Sequence, residues 1–136
     1  MTEHAERRSA EVEQLIGVYH ANGSWPGELA YLVGRLSGRT HCALCDITHG
    51  VLRRRRAFDA CVATLPVAFD LVHLDERSDD VAAASEGRTP CVLARTSTGL
   101  VLLLDAHALV SCRGDPARLR EAIDRTVAAL GMRWLT

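Results

Sequence analysis

The chain reads as a single α/β domain with a four-stranded mixed sheet and flanking helices, and three features predict it. Two apolar, partly β-branched segments, 14–20 (QLIGVYH) and 69–74 (FDLVHL), are separated by stretches with helical periodicity. Two further strand-like segments, 91–95 (CVLAR) and 100–105 (LVLLLD), are joined by the turn Thr96-Ser97-Thr98-Gly99, the pattern of an antiparallel hairpin. A last amphipathic stripe begins after Pro116. With 136 residues and 48% hydrophobic content, the chain is long enough for one core and too short for two ordinary ones. The expected division is an amino-terminal arm over 1–13 and one domain over 14–136.

Residues 1–12 are charged and carry no chemical signature. The first strand, 14–20, runs into the turn Ala21-Asn22-Gly23-Ser24. Pro26 suits the first turn of a helix, where its missing N–H leaves nothing unpaired, and Ser24 is available as a cap. Leu29, Leu32, Val33 and Leu36 then recur at helical spacing until Gly38, so a helix is expected over 26–37. A second helix is expected over 51–65, with Leu52, Phe58, Cys61, Val62 and Leu65 facing inward and Pro66 as its stop. Its arginines, Arg53 to Arg56, cover a full turn, so they cannot all face one ligand and read as a solvated face.

The strand 69–74 ends in Asp75 and Glu76. Ser78 should cap a short helix with Asp79 and Asp80 in its first turn, where the positive end of the helix dipole favours carboxylates, and Gly87 should close it. Thr89-Pro90 opens the third strand. After the hairpin and a polar turn, Asp115 caps and Pro116 begins the last helix, whose Leu119, Ala122, Ile123, Val127 and Leu130 form one apolar stripe for the sheet. A right-handed crossover makes the first two strands parallel, and the hairpin adds an antiparallel pair.

Charge and composition narrow the function classes. The formal net charge is -1, so no global field draws the protein to nucleic acid or to an anionic membrane. All 16 basic residues are arginine, which leaves neither a Schiff-base lysine nor a P-loop lysine. No stretch reaches the roughly 18 apolar residues of a membrane span, and the start MTEHAERRSAEVEQ lacks the apolar core of a secretory signal. Five cysteines at irregular spacing suit a reducing compartment better than a secreted disulfide framework. The expectation is a cytoplasmic protein with neither nucleic acid nor membrane as its partner.

The chemistry concentrates in residues 41–50, HCALCDITHG. Cys42 and Cys45, three apart, can put both sulfurs on one side of a turn, to form a disulfide or to hold one metal ion. His49 follows Cys45 by four positions, one turn of a helix, and can join them. A helix amino terminus or a nearby imidazolium would lower a thiol pKa and favour exchange; neutral imidazole with two thiolates would suit zinc or iron. A structural zinc needs four protein ligands: Cys42, Cys45 and His49 supply three, and the fourth is His41 or Cys91, with water in its place at an open reactive site.

Two functions therefore stand. One is a thiol redox protein without a cofactor, exchanging with protein or small-molecule thiols and disulfides, with His41 or His49 tuning the nucleophile. The other is a metal-binding module for zinc, iron or copper. The bland alternative for the two cysteines is a pair of small buried side chains. His20 ends the first strand, at the carboxyl edge of the sheet where ligands bind in open α/β folds, although a local turn hydrogen bond explains it as well. His73, Asp75 and Glu76 end the next strand and either orient an imidazole or form an ordinary polar strand end. Cys61 and Cys112 carry no assigned role, and His4 and His107 read as surface residues.

The order of elements, with Thr89-Pro90 opening the third strand, resembles the thioredoxin-like fold over roughly residues 14–130. The resemblance implies that Pro90 follows a cis peptide and lies beside the active site. It also implies that Cys91 lies near the end of the first strand, so Pro90 and Cys91 join Cys42, Cys45 and His49 as candidate site residues. One departure is plain. Thioredoxins and glutaredoxins carry their CxxC immediately after the first strand, at the start of the next helix, where the dipole stabilises a thiolate. Here that loop, 20–27 (HANGSWPG), has no cysteine and the CxxC comes one helix later, so a thioredoxin mechanism does not transfer residue by residue. The HCALCDITHG segment also resembles a signature of small bacterial proteins, some labelled GTPases. Without a GxxxxGK[ST] motif or any lysine, the residues do not support nucleotide chemistry.

Overall fold

The computed structural model of the chain describes residues 10–20, Leu44 and residues 52–135, with the backbone alone for 52–55. The helix expected over 26–37 and, apart from Leu44, the segment 41–50 lie outside these residues. The described chain is mixed α/β, with a sheet of five strands rather than four.

The central strand β1, Glu11–Val18, is apolar on both sides through most of its length, as a strand covered on both faces must be. It begins three residues before the expected start, and the reason lies at the other end of the chain. Glu11 and Val12 pair in parallel with β5, Arg133–Trp134, and Val12 is fully buried, so 11–13 belong to the sheet and not to an arm. β1 also stops two residues before His20. Its other long partner, β2 (Ala68–Val72), runs parallel to it from Gln14↔Ala68 to Val18↔Val72, as the crossover argument requires. β3, Cys91–Thr96, lies antiparallel along the opposite edge of β1, from Val12↔Thr96 to Val18↔Cys91. β2 and β5 therefore share one edge of β1 end to end. β4, Gly99–Leu104, completes the order β2-β1-β3-β4.

The β3–β4 hairpin turns where expected. The Thr96 hydroxyl donates to the Gly99 carbonyl (2.8 Å) and accepts the Thr98 N–H, and Gly99 takes φ of 129°, a conformation that an L side chain resists. The Thr89–Pro90 peptide is cis, and β3 starts at the next residue.

The helices cover both faces. α1, Leu52–Ala63, ends where the Thr64 hydroxyl binds the Cys61 carbonyl (2.7 Å), just ahead of Pro66. Its Phe58 is buried edge-on against Phe69 of β2, with ring centroids 5.8 Å apart. Arg56 is exposed, as a solvated face requires; the side chains of Leu52 and Arg53 to Arg55 lie outside the described residues. α2, Asp79–Ser85, covers the opposite face with Val81 and Ser85. Ser78 precedes it in extended conformation, but its hydroxyl donates to Asp80 (2.6 Å) instead of accepting a helix N–H, so the expected cap forms with different partners.

Three expectations change further along the chain. β2 ends at Val72, and Leu74 lies in a 3-10 turn, Leu74–Glu76, because the Glu76 carboxylate draws in the His73 N–H (2.8 Å) and bends the chain out of the sheet. The stretch expected as a polar turn contains a helix, α3 (Ala106–Ser111), capped by Asp105, which accepts the Ala108 N–H (2.8 Å). α4, Pro116–Ala129, starts as expected, with Asp115 accepting the Ala117 N–H, and buries Leu119, Ala122, Ile123 and Val127. Each of the larger three contributes about 1.5–3 kcal/mol when fully buried. Leu130 is exposed: it is the cap residue at the carboxyl end, already off the stripe.

Among the described residues two apolar clusters result. Leu15, Tyr19, Val92 and Ala94 face α1, α3 and α4, together with Leu44. Ile16, Val18, Cys91 and Leu93 face Val81 of α2. No helix among the described residues is long and apolar enough to cross a membrane.

Candidate functional site at the carboxyl edge of the sheet

β1 and β2 run in parallel and end together, and β3 starts at the same edge, because Val18 is the partner of both Val72 and Cys91. The residues that follow or precede these ends are therefore gathered at one place although they lie far apart in sequence. Tyr19, 1% exposed, extends β1 by donating its N–H to the Val72 carbonyl (2.9 Å). His20 is exposed, and its Nδ1 lies 2.8 Å from the Thr89 hydroxyl, beside Pro90. His73 packs its ring on Tyr19, with centroids 4.7 Å apart.

Glu76 completes the group. One carboxylate oxygen lies 2.8 Å from both the backbone nitrogen and the ring Nδ1 of His73. These bonds, the backbone one first, hold the Glu76 carboxyl below its ordinary pKa. The Glu76 carboxylate thus bonds the His73 ring locally, at the polar end of β2.

The expected site residues fall into three sets. Cys42, Cys45, His41 and His49 lie outside the described residues, but Leu44, between the two cysteines, is fully buried. Its Cδ2 would stand 3.3 Å from a Cβ placed on Gly17, so it packs over β1 on the Tyr19 face of the sheet. Pro90 stands at the gathered edge. Cys91 is fully buried in the cluster on the α2 face, opposite Leu44. Burial pushes its thiol up to about 11, the neutral, unreactive form at physiological pH.

Cys61 is half-buried, with its sulfur 3.6 Å from the Pro116 carbonyl. Cys112 is buried against the Ala108 carbonyl, its pKa raised by desolvation. His107 is exposed. Among the described residues no group of three or more His, Cys, Asp and Glu is arranged to hold a metal ion. An open cavity of about 390 Å³ adjoins the edge, lined by Arg88, Thr89, Asp105 and His107 among others.

Sequence reasoning did not foresee the His20–Thr89 bond or the tilted packing of His73 on Tyr19. Both partners are more than fifty positions away, and only the pairing of β1 with β2 and β3 brings them together. Comparison with protein-family models, with curated proteins and with solved structures finds no match to this chain.

Proposed function

We propose that the domain is thioredoxin-like and that Cys42 and Cys45 form a thiol–disulfide redox pair, exchanging with protein or small-molecule disulfides in a reducing compartment such as the cytoplasm. The burial of Leu44 carries this reading. Cys42 stands two residues before that anchor and Cys45 one residue after it, and the anchor is packed over Gly17, one residue before β1 ends.

Other observations support it. The strand order β2-β1-β3-β4, with β1 and β2 parallel and β3 and β4 antiparallel, supports the thioredoxin-like reading. Helices cover one face after β2 and the other after β4, and a cis-proline precedes β3 beside the end of β1. Cys91, neutral and on the opposite face, has no part in the exchange.

The test is a thiol count on untagged protein before and after mild oxidation, together with elemental analysis. The redox reading expects two thiols to be lost, at Cys42 and Cys45, from metal-free folded protein. Stoichiometric zinc, iron or copper retained through purification, with no disulfide formed, would replace it by the metal-binding reading, with Cys42, Cys45 and His49 as ligands.

A further inference from the structure

We infer that the open cavity at the carboxyl edge of the sheet binds a small organic carboxylate, with Arg88 taking the anionic end and Leu102 and Ala106 the apolar body. This site stands whether or not the domain is a redox protein. Strand pairing makes the cavity. Val92 of β3 is the partner of Leu104 of β4, so the chain enters β3 and leaves β4 at the same end of the hairpin, and the segments 87–89 and 105–107 supply the walls. Leu102, packed against the cluster on the α2 face, adds apolar surface. At about 390 Å³ the space falls within the roughly 300–1,000 Å³ of small-molecule pockets.

The charges in the walls select the ligand. The nearby Arg77 is tied to the Leu74 carbonyl, the Ser85 hydroxyl and the Glu86 carboxylate. Arg88 is exposed and pairs with no carboxylate among the described residues, and its charge reaches the Cys91 thiol at the start of β3. The turn that carries it is fixed: Gly87 takes φ of 71°, and the Arg88 N–H donates to the Ser85 carbonyl (2.9 Å). Across from it, the Asp105 carboxylate accepts the Ala108 N–H (2.8 Å) and puts a negative charge in the other wall. A dianion is repelled there, whereas a single negative charge is matched by Arg88 and kept away from Asp105. The planar guanidinium suits the two oxygens of a carboxylate.

Thr89 ties the cavity to the rest of the edge. Its hydroxyl lies 2.8 Å from Nδ1 of His20, so the wall that carries Arg88 is bonded to the end of β1. His107, exposed on the far wall beside Asp105, adds a hydrogen-bonding imidazole. A carboxylate of this kind is carried either by a free organic acid or by the carboxyl end of a peptide, and both would meet Arg88 in the same way.

The test titrates benzoate into the isotope-labelled full chain at neutral pH and follows the backbone amides. Benzoate should shift residues 87–89 and 105–107 saturably, with a dissociation constant on the order of 1 mM. Benzyl alcohol, acetate and phosphate should each bind about tenfold more weakly, because each lacks the single charge or the apolar body. Arg88→Gln should weaken benzoate about tenfold or more, and Arg118→Gln, on α4, should leave it unchanged. Should Arg88→Gln fail to fold, Ala106→Glu decides: a second carboxylate in the cavity should weaken benzoate by a similar factor. N-acetyl-alanyl-phenylalanine reads the source of the carboxylate, since tighter binding of benzoate assigns a free acid and tighter binding of the peptide its carboxyl end. No saturable shift at these residues, benzyl alcohol or phosphate binding as tightly as benzoate, or wild-type affinity in the deciding variant overturns the inference.

Discussion

Leu44 and Gly17 meet over β1: a Cβ on Gly17 would lie 3.3 Å from the Leu44 Cδ2, and closer still to Leu71 and Phe69 at 2.8 and 3.0 Å. Only glycine leaves room for all three side chains. Gly17→Ala should therefore destabilise the protein by about 1–3 kcal/mol, since three packed neighbours have to shift together. A denaturant midpoint equal to that of the wild type would mean that the three side chains repack without cost.

Removing the other partner should cost more. Leu44→Ala deletes a fully buried side chain from the larger cluster, and about 2–5 kcal/mol should be lost. The same variant should expose residues 41–50 to faster amide exchange than the wild type, while β3 and β4 keep their protection. Equal exchange in both proteins would remove Leu44 as the anchor of the pair.

The acidic end of the pH range should read out Asp80. Its carboxyl is held at about 2, from 3.8, first by the Ser78 hydroxyl and then by the Arg95 guanidinium at 2.8 Å, with the Val81 N–H in support. Arg95 also binds Gln14, which in turn binds Asp70, so the contact continues across β3, β1 and β2. A depressed carboxyl contributes stability that is present above about 3.8 and lost as pH falls through about 2. Asp80→Asn should be less stable than the wild type at neutral pH, and the two should converge below about pH 2. A difference that stays constant down to that pH contradicts the contact.

The alkaline end should read out Cys91. Its folded thiol is raised from 9.0 to about 11 by burial, so its contribution is complete below pH 9 and is lost as pH rises toward 11, where the unfolded chain ionises first. In the folded protein Cys91 should resist alkylation by iodoacetamide at pH 8, and in denaturant it should react at the rate of a free thiol. Rapid labelling of Cys91 in the native state would contradict its burial.

What the sequence made legible follows a physical rule. The hairpin around Gly99, the start of α4 at Asp115-Pro116 and the parallel pairing of β1 with β2 are written in local turn chemistry, capping and connection handedness, and each is present. α3 buries only Leu109 in six residues, so it has no stripe to detect, and β5 is two residues long and exists only through its pairing with β1. The early end of β2 was hidden because FDLVHL stays largely apolar through Leu74, while the Glu76 contact that turns the chain away has no periodicity. At the candidate site, a polar group at the end of β2 was legible from residue type. The face on which Cys91 lies was not, because it depends on the register of β3 against β1.

The most direct test of the central claim is a redox equilibrium of the full chain in glutathione buffers, with each sample quenched, alkylated and mapped by peptide mass. The account predicts a single two-electron transition in which Cys42 and Cys45 lose their label together, while Cys61, Cys91 and Cys112 keep theirs throughout. Independent glutathionylation of Cys42 and Cys45, with no bond between them at any ratio of thiol to disulfide, would contradict it.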